Sequence, residues 1–125
     1  MAARILIVDD AGEMRAILAI ALSTIDGVTI EPADSAEIAL KVIEEAPVDV
    51  LITDVRMSGM DGLELLAALR ERDAWPSGGA IVISGETDPD LPQRALAAGA
   101  SAYYSKPFSP MEVIKHVVSL LEKKD

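Results

Sequence analysis

The chain has 125 residues, half of them hydrophobic, with 21 acidic against 11 basic side chains and a formal charge of −10. That size and apolar content suit one domain with a proper core, and no apolar run approaches the ~20 residues that span a bilayer. The acidic balance argues against direct nucleic-acid binding, and the absence of cysteine removes disulfides and thiolate metal sites.

The opening MAARILIVDD lacks the layout of a secretion signal, so a cytoplasmic protein with no membrane partner is expected. RILIV (4–8) leads into helical spacing over EMRAILAIALSTI (13–25), and VTIEPA (28–33) into SAEIALKVIEE (35–45). VDVLIT (48–53) precedes GLELLAALRER (62–72), and AIVIS (80–84) precedes LPQRALAA (91–98). AYYS (102–105) is followed by PMEVIKHVVSLLEKK (110–124). Leu63, Leu66 and Leu69 share one helix face, as do Ile114, Val117, Val118 and Leu121. Asp34 with Glu37 reads as a capping box opening the second helix, and Gly27, Pro47, Gly78–Gly79 and Gly99 mark helix-to-strand turns. Strands that are apolar throughout, each followed by a helix, predict an α/β fold: a doubly wound five-stranded parallel sheet with helices on both faces. A single domain over 1–125 is expected, with no output domain in this chain.

In such a sheet, ligands bind beyond the carboxyl ends of the strands. The first strand runs into Asp9 and Asp10, the third ends at Asp54, the fourth at Ser84 and the fifth at Lys106. The second ends near Ala33 and carries nothing comparable. Singly, Asp10 could cap a helix, Asp54 accept loop amides, Ser84 start a turn and Lys106 snorkel at the surface. Together, three clustered carboxylates repel one another and should hold a proton or take a cation. An all-oxygen donor set suits Mg²⁺, which keeps several waters, and Lys106 would offset the remaining charge. A carboxylate flanked by metal, ammonium and hydroxyl is an arrangement for phosphoryl transfer, with Asp54 the nucleophile that becomes an acyl phosphate.

The series ILIVDD, DVLITDVRMSGMDGLELL, IVISG and ALAAGASAYYSKPF, in that order over essentially the whole chain, resembles the response-regulator receiver domains. The resemblance implies the flavodoxin-like strand order 2-1-3-4-5 and the role of a phosphoacceptor switch in a two-component phosphorelay, like the single-domain chemotaxis regulators. It implies that Asp54 is the phosphorylated residue and that Asp9, Asp10, Asp54 and the backbone carbonyl of Arg56 hold Mg²⁺. Ser84 and Lys106 would meet phosphoryl oxygens, Tyr103 would move inward with Ser84, and the Lys106–Pro107 peptide bond would be cis. The domain would be regulatory rather than an enzyme, though it assists its own phosphorylation and dephosphorylation. Its donor would be a sensor histidine kinase or a histidine phosphotransfer protein. Its target would be a protein docking on the fourth helix, fifth strand and fifth helix. A monomer is expected, with dimerisation on phosphorylation left open.

Ser58 stands where the family commonly has proline, which is expected to loosen the loop ending at Gly59. Arg56 and Glu86 follow Asp54 and Ser84 by two residues, at variable positions, and are expected to pair over the site and gate water. Tyr104 should face away from Tyr103. His116 reads as an ordinary surface residue of the last helix. Trp75 should lie at the far end of the sheet from Asp54, where its fluorescence would report Mg²⁺ poorly. Three other functions fit less well. An aspartyl-phosphate phosphatase needs Asp-x-Asp after the first strand, a flavin carrier needs a phosphate loop there, and a phosphorylation-independent docking module has no use for the intact acidic set.

Overall fold

Five strands and five helices alternate along the chain: β1 (Ala3–Val8), α1 (Glu13–Leu22), β2 (Val28–Ala33), α2 (Ala36–Glu45), β3 (Val50–Asp54), α3 (Gly62–Glu71), β4 (Gly79–Ser84), α4 (Leu91–Ala97), β5 (Ala102–Ser105) and α5 (Pro110–Lys123). They come from a computed structural model that describes residues 2–85 and 87–123. All strand pairs are parallel, in the order β2-β1-β3-β4-β5, which is the order the resemblance implies.

The near-continuous apolarity of β1, β3 and β4 follows from cover on both faces, whereas the edge strands β2 and β5 are only partly buried. Leu6, Val8, Leu51 and Val82 point into one core with Leu40 and Ile43 of α2, Leu65, Leu66 and Leu69 of α3, and Leu91 of α4. Ile5, Ile7, Ile52, Ile81 and Ile83 point the other way, onto Met14, Leu18 and Leu22 of α1 and Val113, Val117 and Leu120 of α5. Alternate residues of one strand therefore feed two cores. Among the described residues, no helix is long and apolar enough to cross a membrane.

Three local readings need correction. The first helix stops at Leu22, because the hydroxyls of Ser23 and Thr24 donate to the carbonyls of Ile20 and Ala21 and close the last turn. The third strand begins at Val50 rather than Val48, although Val48 is buried. The second helix has no Asp34–Glu37 box: Ser35 is the cap and its hydroxyl accepts the amide of Ile38. The capping box belongs to α3, where Asp61 accepts the amide of Glu64 and the Glu64 carboxylate accepts the amide of Asp61.

Trp75 sits in the connection from α3 to β4, at the amino edge of the sheet and so opposite Asp54. The guanidinium of Arg70 lies 5.4 Å above its ring.

Candidate functional site

Asp54 is the last residue of β3 and only 6% exposed. A carboxylate in that position needs partners, and it has one on each oxygen. Oδ1 accepts the amide of Val55 at 2.7 Å, and Oδ2 accepts the ammonium of Lys106 at 2.7 Å. Lys106 reaches it from the end of β5, where its own amide donates to the carbonyl of Ser84 at 2.9 Å. Partial burial opposes the ammonium charge. The hydrogen bond to Asp54 and the carboxylates of Asp54, Asp9 and Glu13 outweigh that and hold the Lys106 pKa above its ordinary 10.5. The Lys106–Pro107 peptide bond is cis.

The chain leaves Asp54 through a tight loop closed by the amide of Gly62, which donates to the carbonyl of Val55 at 2.9 Å. Gly62 is required there: a Cβ would stand 2.1 Å from the carbonyl oxygen of Asp54.

The acidic pair divides its work. Asp9 is fully buried and accepts the amide of Ala11 on Oδ1 at 3.1 Å and that of Met14 on Oδ2 at 2.9 Å. It thus caps α1 from outside, since Gly12 at the cap position has no side chain to offer. Asp10 is exposed and turns to the loop after β3, where its Oδ2 accepts the amide of Ser58 at 3.2 Å. A proline at 58 would have no N–H to give, so this tie needs a residue other than proline. Glu37 of α2 holds the same loop from its other side, with Oε2 accepting the amide of Met60 at 3.2 Å.

The sheet edge therefore brings together Asp9, Asp54 and Lys106, with Asp10 joined through Ser58 and the backbone of Ser84 joined through Lys106. Ser84 itself is fully buried. Glu86, the expected partner of Arg56, lies outside the described residues. Glu13 was not singled out in the sequence, and Glu37 was read there only as part of a helix cap. Glu13 lies in the first turn of α1, three residues after Asp10, and that spacing could have revealed it. Glu37 had no comparable signal, because its partner is 23 residues away.

Among the described residues, no three or more His, Cys, Asp or Glu side chains gather into a metal cage. The repulsion expected of three clustered carboxylates is relieved by separate partners: one turn amide and one helix amide for Asp9, an ammonium for Asp54 and a loop amide for Asp10. The donor chemistry still fits a hard cation, since Mg²⁺ needs only one or two carboxylates and completes its shell with water. Asp10, exposed beside the Arg56-bearing loop, is the carboxylate most open to such an ion.

The two tyrosines of β5 face opposite cores. Tyr103 packs half-buried on the α4 side. Tyr104 packs on the α5 side, where its hydroxyl lies 3.1 Å from Nδ1 of His116 and the rings meet edge to face. Burial and then the Glu112 carboxylate push its phenol above the ordinary 10.0. His116, read as an ordinary surface residue of the last helix, is half-buried there and meets Tyr104 of β5.

A doubly wound parallel sheet in this strand order, with a lysine-paired carboxylate at its carboxyl edge, defines a flavodoxin-like α/β domain. Residues 5–118 match the response regulator receiver domain family. The chain is 32% identical over 120 residues to the transcriptional regulatory protein ResD of Bacillus subtilis, covering 96% of this chain and 48% of ResD. It is 30% identical to the chemotaxis protein CheY of Pseudomonas aeruginosa, covering 96% of this chain and 97% of CheY. It thus spans about half the length of ResD but nearly all of CheY. The crystallised chemotaxis response regulator CheY4 of Vibrio cholerae superposes with a TM-score of 0.83 at 30% identity, over 96% of this chain and 99% of that one. The chain belongs to the response regulator receiver domain family of two-component signalling.

Proposed function

We propose that the chain is a phosphoacceptor switch in which Asp54 takes a phosphoryl group from a phosphohistidine of a sensor histidine kinase or a histidine phosphotransfer protein. An oxygen of Asp54 attacks phosphorus, the P–N bond breaks, the electron pair leaves on the histidine nitrogen, and Asp54 becomes an acyl phosphate. One observation carries the reading: the Lys106 ammonium lies 2.7 Å from an almost buried carboxylate at the carboxyl edge of the sheet. An ammonium there meets the charge of a transferring phosphoryl group without any rearrangement of the strands.

Asp10, Asp54 and the backbone carbonyl of Arg56 are the groups that would hold Mg²⁺, with Asp9 behind them. When bound, Mg²⁺ supplies charge neutralisation between the acceptor carboxylate and the incoming phosphoryl oxygens. Ser84, buried at the end of the neighbouring strand, gives its hydroxyl to a phosphoryl oxygen. Its displacement leaves room that Tyr103 fills by turning inward. The surface of α4, β5 and α5 then changes and is read by a downstream protein, a two-state response biased by local charge.

Acetyl phosphate with Mg²⁺ is expected to add one phosphoryl group to the wild-type chain and none to Asp54→Asn, read by intact-mass spectrometry. Equal labelling of the two proteins defeats the assignment.

A further inference from the structure

We propose that the backbone amide of Ser58 positions Asp10 for a divalent cation, so that metal affinity in this chain depends on an N–H that a proline at this position cannot supply. The inference rests on the phosphoacceptor reading, which places Asp10 and the carbonyl of Arg56 among the metal's ligands.

Asp10 is exposed, at the start of a loop. An unrestrained aspartate loses rotamer freedom on binding a cation, and that loss weakens binding. Here Oδ2 already accepts the amide of Ser58 at 3.2 Å, from a residue 48 positions away in sequence. Ser58 is two residues beyond Arg56, so the bond joins the carboxylate to the very segment that carries the other oxygen ligand. That segment is held from the opposite side as well. Glu37 accepts the amide of Met60, and its Oε2 would lie 3.0 Å from a Cβ on Gly59, which adopts φ 79°. The loop is thus strapped between two acidic side chains, one from the β1–α1 turn and one from α2.

The amide orients the carboxylate and does not compete for it. A carboxylate has two oxygens and about four lone-pair directions, so one neutral N–H on Oδ2 leaves Oδ1 for a metal. Hydrogen-bonded donors behind a ligating carboxylate fix its direction, and their loss weakens metal binding. Competition would give the opposite sign, which makes the two cases separable.

The test compares Ser58→Pro, which removes the N–H, with Ser58→Ala, which keeps it and removes only the hydroxyl. Mg²⁺ binding is followed by titration calorimetry on the unphosphorylated proteins. Ser58→Pro is expected to raise Kd about three- to tenfold and Ser58→Ala to leave it within about twofold, the scale of a lost orienting hydrogen bond at an exposed site. A second measurement needs no variant: the Ser58 amide proton, followed by NMR exchange in the wild type, should stay protected when Mg²⁺ saturates the site. If Ser58→Pro fails to fold, this measurement decides alone. Equal or tighter Mg²⁺ binding by a folded Ser58→Pro, or faster exchange of the Ser58 amide in saturating Mg²⁺, overturns the positioning role while leaving the phosphoacceptor reading intact. A wild-type chain that binds no Mg²⁺ overturns both.

Discussion

The two loops that flank Asp54 are built differently. The loop over residues 55–61 is tied to three other parts of the molecule: Ser58 to Asp10, Met60 to Glu37, and Asp61 to Glu64 through the α3 capping box. The loop over residues 85–90 has, among its described residues, bonds of a more local kind. Asp88 accepts the amides of Asp90 and Leu91 and pairs with Arg94 at 3.7 Å. The helix that follows is seven residues long and begins without a side-chain cap. Asp54 thus stands on a braced platform, whereas these bonds of the described residues after Ser84 are local. The proposed switch would draw on that asymmetry, because a segment of low local stability is the one that moves at small cost.

The comparison is open to attack at several points. The largest effect is expected for Gly62→Ala, whose methyl would press on the Asp54 carbonyl at 2.1 Å. A loss of about 3 kcal/mol in urea unfolding is expected, and a loss below about 1 kcal/mol would show that the platform yields easily. Asp61→Ala removes half of the capping box and should cost about 1 kcal/mol.

The alkaline limb of the stability curve tests the tie between Lys106 and Asp54. The Lys106 pKa is raised in the folded chain, so its contribution is complete below the ordinary 10.5 and is lost as pH rises through the folded value. The stability gap between wild type and Lys106→Met should therefore narrow above that pH. The raised Tyr104 phenol acts in the same direction in both proteins and cancels from the gap. A gap that stays constant to higher pH would mean that the ammonium contributes nothing through its charge. The smallest effect belongs to the other loop. Asp90→Ala, at a cap position without a cap bond, should stay within about 0.5 kcal/mol, and a cost equal to that of Asp61→Ala would erase the distinction between the loops.

Nearly all of this architecture was legible before any coordinates, because covered parallel strands and amphipathic helices leave strong periodic signals. The carboxyl-edge residues were legible too, since a fold of this kind dictates where its strands point. What escaped were choices between neighbours and contacts across space. Asp34 and Ser35 are adjacent and both cap-competent, and spacing alone does not say which one turns its oxygen toward the helix. The reach of Glu37 to Met60 and of Tyr104 to His116 depends on how elements lie against one another. The effect of Ser58 was read from the ring it lacks, whereas the structure gives its amide a bond that no proline could make.

The wholly enclosed carboxylate of Asp9, with one oxygen held by the amide of Ala11 in the β1–α1 turn and the other by that of Met14 in the first turn of α1, fastens the acidic pocket to that helix. Replacing it with asparagine keeps one acceptor and puts an NH₂ where the other amide needs an oxygen. A loss of Mg²⁺ binding in such a variant would report on an unfastened helix as much as on a missing charge, so position 10, whose carboxylate accepts a loop amide, is the cleaner place to probe the proposed metal site.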